Sequence, residues 1–156
     1  MTSNKLSSEE KAMLIKLQYL EKEGFIKTFE YQPKEFVLFE GVKKSMYKID
    51  KKTGKKKYSK RSFFINPHIY TADFKVIWND NAIGKYIQDV KENDLSLDIP
   101  FYVNKIKDEY ISWIEIKGSY DPYNTHRMAR TYIVPTVWQN YKIYVQIIIP
   151  KKLILE

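Results

Sequence analysis

Two strongly apolar segments in the second half of the chain place the tightest limits on the fold. YISWIEIK at 110–117 and KIYVQIII at 142–149 are rich in β-branched and aromatic residues. Runs of this kind are typical of strands buried on both faces of a sheet, and the second run predicts a central strand. Because such a sheet needs helices over its faces, these segments predict an α/β fold with a mixed sheet.

Local patterns predict the remaining elements. Ser7 is a good N-cap with Glu10 three residues later, and an apolar stripe at helical spacing follows, so residues 7–23 predict a helix that ends at Gly24. The other predicted elements are strands at 25–32, 36–40 and 69–78, a turn at 119–124, and a helix at 124–133 that Pro135 breaks or kinks. Residues 82–109 are ambiguous and are compatible with a short helix at 82–93 and a short strand at 99–103.

Composition excludes several classes of protein. The 156 residues suit a single domain, 1–156, and contain no cysteine, which excludes disulfides, thiolate metal sites and a cysteine nucleophile. No apolar run has the roughly 18 residues that a membrane span needs, and MTSNKLSSEEK has no apolar signal core. We therefore expect a cytoplasmic protein with no membrane contact.

The positive charge is concentrated in one window. Residues 43–61 hold ten basic residues and one acid, so the window carries +9 and the remaining 137 residues carry −1. Thr53-Gly54 lies midway between two strand-like runs, which predicts a basic hairpin. Such a hairpin is suited to nucleic-acid phosphates, although a Lys-rich solubilising loop is the alternative. The candidate contacts are Lys51, Lys52, Lys55, Lys56, Lys57, Lys60 and Arg61.

Acidic residues interrupt two of the predicted apolar strands. Glu115 and Lys117 are two positions apart and share one strand face, while Asp73 lies in YTADFKV of another strand. If the two strands are neighbours, Asp73 and Glu115 converge. Two adjacent carboxylates repel each other, and Mg²⁺ would relieve the repulsion. The Glu-x-Lys triplet also occurs at 9–11, so the strand context carries the prediction.

IYTADF followed by WIEIKG, behind an acidic first helix, resembles the PD-(D/E)XK nuclease superfamily. SSEEKAMLIKLQYLEKEGFIKTFEYQPKEF is similar to the opening of its small phage endonucleases, including the branch that resembles Holliday junction resolvases. The likeness covers roughly residues 7–40, 69–78 and 110–130. It implies a restriction-endonuclease-like core, in which the 43–61 hairpin and residues 80–109 are insertions.

The resemblance also implies roles for individual residues. Asp73 and Glu115 would be metal ligands, Lys117 the catalytic lysine, and Glu10 the helix acid that completes the site, directly or through water. Gln32 would be an auxiliary residue. Position 72 is alanine where the family pattern has proline, and Asp73 and Glu115 are 42 positions apart, farther than expected for compact members.

Alternatives stand beside these roles. Glu10 fits a capping box equally well, and Glu9 could replace it in the site. Glu115 and Lys117 could form an exposed ion pair, and Asp73 could pair with a lysine. Arg127 and Arg130 are three apart on the predicted helix and suit phosphate contact or ordinary solvation.

These observations predict a Mg²⁺-dependent DNA endonuclease, with Mn²⁺ as a substitute cofactor. Water activated by the metal would attack the phosphodiester, and the resemblance points to a phage structure-selective nuclease or junction resolvase in the host cytoplasm. Cutting two strands requires two active sites, which a homodimer supplies. The rival predictions are a nuclease subunit of a transposition or defence system, a non-catalytic DNA-binding protein on the same fold, and a phage structural protein. The choice between DNA and RNA is open.

Overall fold

The computed structural model describes residues 6–44, 47–58, 62–92, 94–120 and 125–153, with side chains at all of these except 43, 44, 47, 48, 57, 58 and 62–64. The helices are α1 (Ser8–Lys22), α2 (Thr125–Met128) and α3 (Val134–Tyr141), and a π-helical turn covers Ala129–Ile133. The strands are β1 (Ile26–Tyr31), β2 (Phe36–Phe39), β3 (Val42–Lys44), β4 (Tyr47–Ile49), β5 (Lys56–Tyr58), β6 (Ser62–Ile65), β7 (His68–Tyr70), β8 (Phe74–Trp78), β9 (Ile87–Asp89), β10 (Phe101–Ile106), β11 (Glu109–Ile116) and β12 (Val145–Ile148). Short 3-10 turns cover Asp80–Ala82 and Pro150–Lys152. The chain divides into two compact units, Met1–Lys34 with Thr71–Glu156, and Glu35–Tyr70.

The first unit contains a mixed six-stranded sheet flanked by helical segments, which confirms the predicted α/β class. Its strands follow the order β1-β8-β11-β10-β9, and β12 also pairs with β11. β8 runs antiparallel to β1 and β11, whereas β12 runs parallel to β11. A parallel neighbour requires a crossover connection, and the helical segment from Thr125 to Tyr141 supplies it.

One edge of β11 is shared by two partners, which makes a fork in the sheet. β10 pairs antiparallel with Glu109–Ile111, and β12 pairs parallel with residues from Trp113 onward. Two buried amide side chains bridge the arms of the fork. Asn104 on β10 exchanges hydrogen bonds with the backbone of Tyr144, at 3.1 and 2.8 Å, and Gln146 on β12 accepts the N–H of Tyr102 at 2.9 Å. Side chains therefore replace a backbone ladder at this point.

The core lies between α1 and the sheet. Met13, Leu17 and Leu20 of α1 are fully buried and cluster with Phe74 and Ile114. These are members of the apolar stripe that predicted the helix. Burial of each leucine or methionine side chain stabilises the folded state by roughly 2 kcal/mol relative to leaving it exposed. In the part of the chain that the structure describes, no helix is both long and apolar enough to cross a membrane.

The segment that the resemblance treats as a second insertion supplies two strands of the main sheet, β9 and β10. The short helix predicted at 82–93 is wrong over its described residues, 82–92, because Ile87–Asp89 forms β9 and pairs in parallel with β10. The strand predicted at 99–103 is present, shifted to Phe101–Ile106. Gln88 is buried and its side-chain amide bonds to the backbone of Ser96 and Ile99, so tertiary contacts override the weak helical pattern here.

The second helical segment continues through Pro135. Of the break or kink predicted there, the break is absent, since α3 includes the proline as its second residue and extends to Tyr141. A wider π-helical turn precedes it, and such a turn can relieve the clash of the proline ring with the preceding carbonyls. Part of the turn predicted at 119–124, residues 121–124, lies outside the described residues.

The second unit is a two-stranded ribbon built from three paired sections. β2 pairs with β7, β3 with β6 and β4 with β5, all antiparallel. The predicted hairpin at 43–61 is therefore the outer part of a longer ribbon. The strand predicted at 69–78 divides in two, since β7 pairs within the ribbon and β8 within the main sheet. Phe36 and Tyr70 are buried and stack on each other, while Val37 and Ile69 form an exposed pair.

Candidate active site

Neighbouring ends of β8 and β11 bring Asp73 and Glu115 together. Ile114 pairs with Phe74 at the end of the antiparallel ladder, and Asp73 and Glu115 are the next residues along the two chains. The Asp73 N–H donates to the carbonyl of Ile114 at 3.0 Å, and the Asp73 Oδ2 accepts the N–H of Ile116 at 2.7 Å. The sequence predicted that the two carboxylates converge, and the charge of Glu115 does act on Asp73.

The electrostatics around Asp73 disfavour its negative charge. Burial, together with the Glu115 carboxylate and, more weakly, that of Glu10, raises the pKa of Asp73 from 3.8 to about 7. The hydrogen bond from Ile116 and the charge of Lys117 act in the opposite direction but are outweighed. A carboxyl group in this state can bind a proton or a cation near neutral pH.

Lys117 lies directly beside Glu115. Its Nζ is 3.2 Å from the Glu115 Oε1, and the two side chains are only 19% and 12% exposed. The Lys117 N–H donates to the carbonyl of Ile148 at 3.0 Å, which fixes the end of β11 against β12. The predicted alternative of an ion pair is thus present, but within one strand and largely buried.

Glu10 serves both the helix and the site. It completes the capping box, since its N–H donates to the Ser7 Oγ at 3.1 Å and its Oε2 accepts the Ser7 N–H at 3.3 Å. The same Oε2 accepts the hydroxyl of Tyr31 at 2.9 Å. Because Glu10 also raises the pKa of Asp73, it lies within electrostatic reach of the acidic pair.

Tyr31 is a site residue that the sequence reasoning missed. Its hydroxyl donates to Glu10 and accepts a hydrogen bond from the Gln32 Nε2 at 3.3 Å. Burial, with the Glu10 hydrogen bond and the charges of Glu10 and Asp73, raises the pKa of Tyr31 to about 12, so the hydroxyl keeps its proton. Tyr31 pairs with Phe74, the residue after Asp73, and aligning the two predicted strands would have revealed it.

Gln32 connects β1 to the same cluster. It adopts a left-handed backbone conformation with φ of 51°, and its N–H donates to the carbonyl of Asp73 at 2.8 Å. An L-residue with a side chain rarely holds this conformation unless its surroundings require it. The auxiliary residue suggested by the Gln-Pro resemblance therefore does lie beside the acidic pair.

Glu9 lies beside Gly118, the residue that follows Lys117. A Cβ added at Gly118 would lie 3.1 Å from the Glu9 Oε1, so this carboxylate borders the residue after Lys117. Its own backbone N–H and the Ser8 hydroxyl, with the charge of Lys151, hold the pKa of Glu9 below its ordinary value. Of the two first-turn acids, Glu10 is the one bound to Tyr31 and coupled to Asp73.

The donors at this site suit a hard cation. Within the described ranges, no three carboxylate or imidazole side chains stand close enough to hold a metal ion by themselves. Asp73 and Glu115 are nonetheless adjacent and mutually repulsive. Mg²⁺ is commonly held by one or two carboxylates with water and phosphate oxygens completing its shell, so these residues fit the ion.

The predicted phosphate-contacting residues that the structure describes lie in the ribbon and in the second helical segment. Lys51, Lys52, Lys55 and Lys56 are exposed around the outer turn of the ribbon, and Lys57 lies in β5. Lys60 and Arg61 lie outside the described residues. Arg127 and Arg130 are exposed, the first in α2 and the second in the π-helical turn that follows it.

Comparison with protein-family models, with curated proteins and with solved structures finds no match to this chain.

Proposed function

We propose that this chain is a Mg²⁺-dependent DNA endonuclease with a restriction-endonuclease-like core. The observation that carries the proposal is the convergence of Asp73, Glu115 and Lys117 where β8 and β11 meet. Asp73 and Glu115 provide carboxylate ligands for a metal ion, and Lys117 provides a cation beside them.

The topology around the acids supports the proposed core. α1 leads into β1, and β8 and β11 follow in the sheet as antiparallel neighbours. The helical segment over α2 and α3 then crosses to β12, which lies parallel to β11. The strands that carry the candidate residues are thus central in the sheet, covered on a face by the buried stripe of α1.

Each residue has a proposed part in phosphodiester hydrolysis. Asp73 and Glu115 would hold Mg²⁺, with Glu10 reaching it through water. When bound, the ion would supply Lewis-acid chemistry and neutralise charge on the phosphate. Lys117 would stabilise the negative charge that develops as water attacks in line, and would help to orient that water. Tyr31 and Gln32 would hold Glu10 and the end of β1 in position.

The biological role that fits best is that of a phage structure-selective nuclease or junction resolvase, which cuts to leave a 5′-phosphate and a 3′-hydroxyl. The basic tip of the ribbon and the exposed Arg127 and Arg130 would contact DNA. Mn²⁺ would replace Mg²⁺, and cutting of two strands would proceed in a homodimer. A nuclease subunit of a transposition or defence system would use the same chemistry.

One observation favours a second candidate, a non-catalytic DNA-binding protein. The Glu115–Lys117 ion pair already compensates both charges, so these two residues have a purely structural explanation. In that case DNA binding would be sensitive to salt and insensitive to Mg²⁺. A phage structural protein with a DNA-contacting ribbon would behave in the same way.

A cleavage assay distinguishes the two candidates. Supercoiled plasmid and a synthetic four-way junction are incubated with Mg²⁺, with Mn²⁺ and with EDTA, using wild type, Lys117→Ala and the matched control Lys105→Ala. Lys105 is exposed on β10, with its ammonium over the ring of Tyr110. Metal-dependent cutting that Lys117→Ala abolishes and Lys105→Ala retains supports the nuclease. DNA binding without cutting under any metal supports the binding protein.

A further inference from the structure

The outer turn of the ribbon is a compact and strongly basic feature. It connects β4 to β5, whose last paired residues are Ile49 and Lys56. The Asp50 N–H donates to the carbonyl of Lys55 at 2.9 Å, and the Gly54 N–H donates to the carbonyl of Asp50 at 2.8 Å. Gly54 has φ of 67°, a conformation that glycine adopts without strain. We call residues 50–56 the ribbon tip.

The single acid of the ribbon tip serves the turn. The Asp50 Oδ1 accepts the N–H of Lys52 at 2.9 Å, and the Thr53 hydroxyl accepts the N–H of Lys55 at 3.4 Å. These bonds fix the backbone and leave four lysines around one carboxylate. Every residue of the ribbon tip is exposed. Four cations held on a short, ordered turn create a local positive field that dispersed lysines would not create.

We infer that the ribbon tip enters the major groove of B-form duplex DNA. The inference rests on the proposed function in one respect, that the partner is a nucleic acid. The major groove is about 12 Å wide and admits a two-stranded ribbon, whose strands lie about 5 Å apart. Lysines on both sides of the turn then reach the phosphates that border the groove.

Two features favour B-form DNA over other nucleic acids. The major groove of A-form RNA is deep and narrow, so a ribbon cannot enter it. Single strands are bound largely by stacking on aromatic rings, and DKKTGKK at 50–56 contains no aromatic residue. The chemistry of the ribbon tip therefore selects a groove with phosphates on both sides.

Binding in EDTA tests the inference separately from cleavage. Fluorescence anisotropy is measured over a salt series on a short DNA duplex, on a double-stranded RNA and on a DNA single strand of the same sequence. The test variant is the triple substitution Lys51→Gln, Lys52→Gln and Lys55→Gln. The matched control is Lys27→Gln, Lys91→Gln and Lys105→Gln, which removes the same charge from exposed positions outside the ribbon.

We expect wild type to prefer the DNA duplex and the test variant to lose that preference. The slope of log K against log salt should fall in magnitude by about 2–3 for three lost phosphate contacts, and by less in the control. A duplex whose cytosines carry glucosylated hydroxymethyl groups, which fill the major groove, should bind wild type at least about tenfold more weakly, because it blocks the contacts of the groove.

Equal affinity for double-stranded RNA, indifference to the glucosyl groups, or an equal loss in the control triple variant would overturn the inference. Circular dichroism of both triple variants confirms folding. If ribbon-dependent duplex binding persists in EDTA but no metal supports cutting, the groove contact stands and the proposed nuclease activity fails.

Discussion

The carboxylate of Asp73 accepts the backbone N–H of Ile116 at 2.7 Å, across the gap between two neighbouring strands. One carboxylate oxygen is thereby fixed by the main chain of β11, and the side chain cannot rotate without losing that bond. The other oxygen, Oδ1, is the candidate metal ligand. The strand that carries Glu115 therefore orients Asp73 as well.

The raised pKa of Asp73 predicts that the metal-free protein loses stability as pH rises. The pKa is about 7 in the folded chain against an ordinary value of 3.8, so the folded state binds the extra proton between these values. The contribution of Asp73 is fully favourable below about pH 4 and is lost as pH rises through about 7. Thermal unfolding in EDTA from about pH 4 to about pH 8 measures the slope.

Asp73→Asn should flatten this pH dependence. Asparagine keeps an oxygen for the Ile116 N–H and removes the charge, so the variant should be more stable than wild type at about pH 8, by up to about 4 kcal/mol. It should also abolish cleavage and the stabilisation of the folded protein by Mg²⁺. If the stabilities of the variant and of wild type changed with pH in the same way, the raised pKa assigned to Asp73 would be contradicted.

Lys117→Met should lower the cleavage rate by about 10²–10³-fold while duplex binding in EDTA stays within a few fold, because Lys117 is proposed to act on the developing charge. Methionine preserves most of the stem and removes the ammonium. Single-turnover cleavage and anisotropy measure the two effects. Equal losses in rate and in binding would assign Lys117 to DNA binding alone.

Two substitutions separate the helix-capping and site roles of Glu10. Tyr31→Phe removes the hydroxyl that donates to Glu10 and should slow cleavage about tenfold. Ser7→Ala removes the other partner of the capping box and should cost about 1 kcal/mol of stability with cleavage unchanged. Kinetics and thermal unfolding of both variants give the comparison. An unchanged cleavage rate in Tyr31→Phe would contradict the proposed role of the Tyr31–Glu10 hydrogen bond in the site.

Ser112→Ala should destabilise the protein without a direct effect on the site. The Ser112 hydroxyl accepts the indole N–H of Trp78 at 2.9 Å and donates to the carbonyl of Tyr102 at 2.9 Å. Removing it leaves a buried N–H unsatisfied, at a cost of about 1–3 kcal/mol. Denaturant unfolding measures the loss. Ser112→Thr is the control, because threonine keeps the hydroxyl that makes both hydrogen bonds. Any loss of stability in this control measures the effect of the added methyl group on packing.

Short-range signals in the sequence predicted the parts of the site that depend on one element. The capping box of Ser7 and Glu10 and the shared face of Glu115 and Lys117 are properties of a single helix and a single strand. The pairing of Asp73 with Glu115 followed from placing two strongly apolar strands side by side. These predictions needed no knowledge of loops.

Most of the other long-range strand pairing could not be predicted from the sequence. The pattern at 82–93 is compatible with a helix because nothing local shows that the Gln88 side chain will bond to the backbone of Ser96 and Ile99. The division of 69–78 into β7 and β8 depends on two different partners, which the continuous apolar run conceals. Tyr31 was overlooked because its role arises from the register between β1 and β8.

Because β10 and β12 pair with different halves of β11, changes in the β9–β10 segment are separated from changes beside Glu115. Glu115 lies in the half that pairs with β12, whereas β9 and β10 attach to the half before Ser112, and amide side chains close the gap between them. Substituting or exchanging the β9–β10 segment therefore need not rebuild the main-chain ladder that holds the acids. That margin of the sheet can therefore change in sequence without changing the strand pairing beside Asp73 and Glu115.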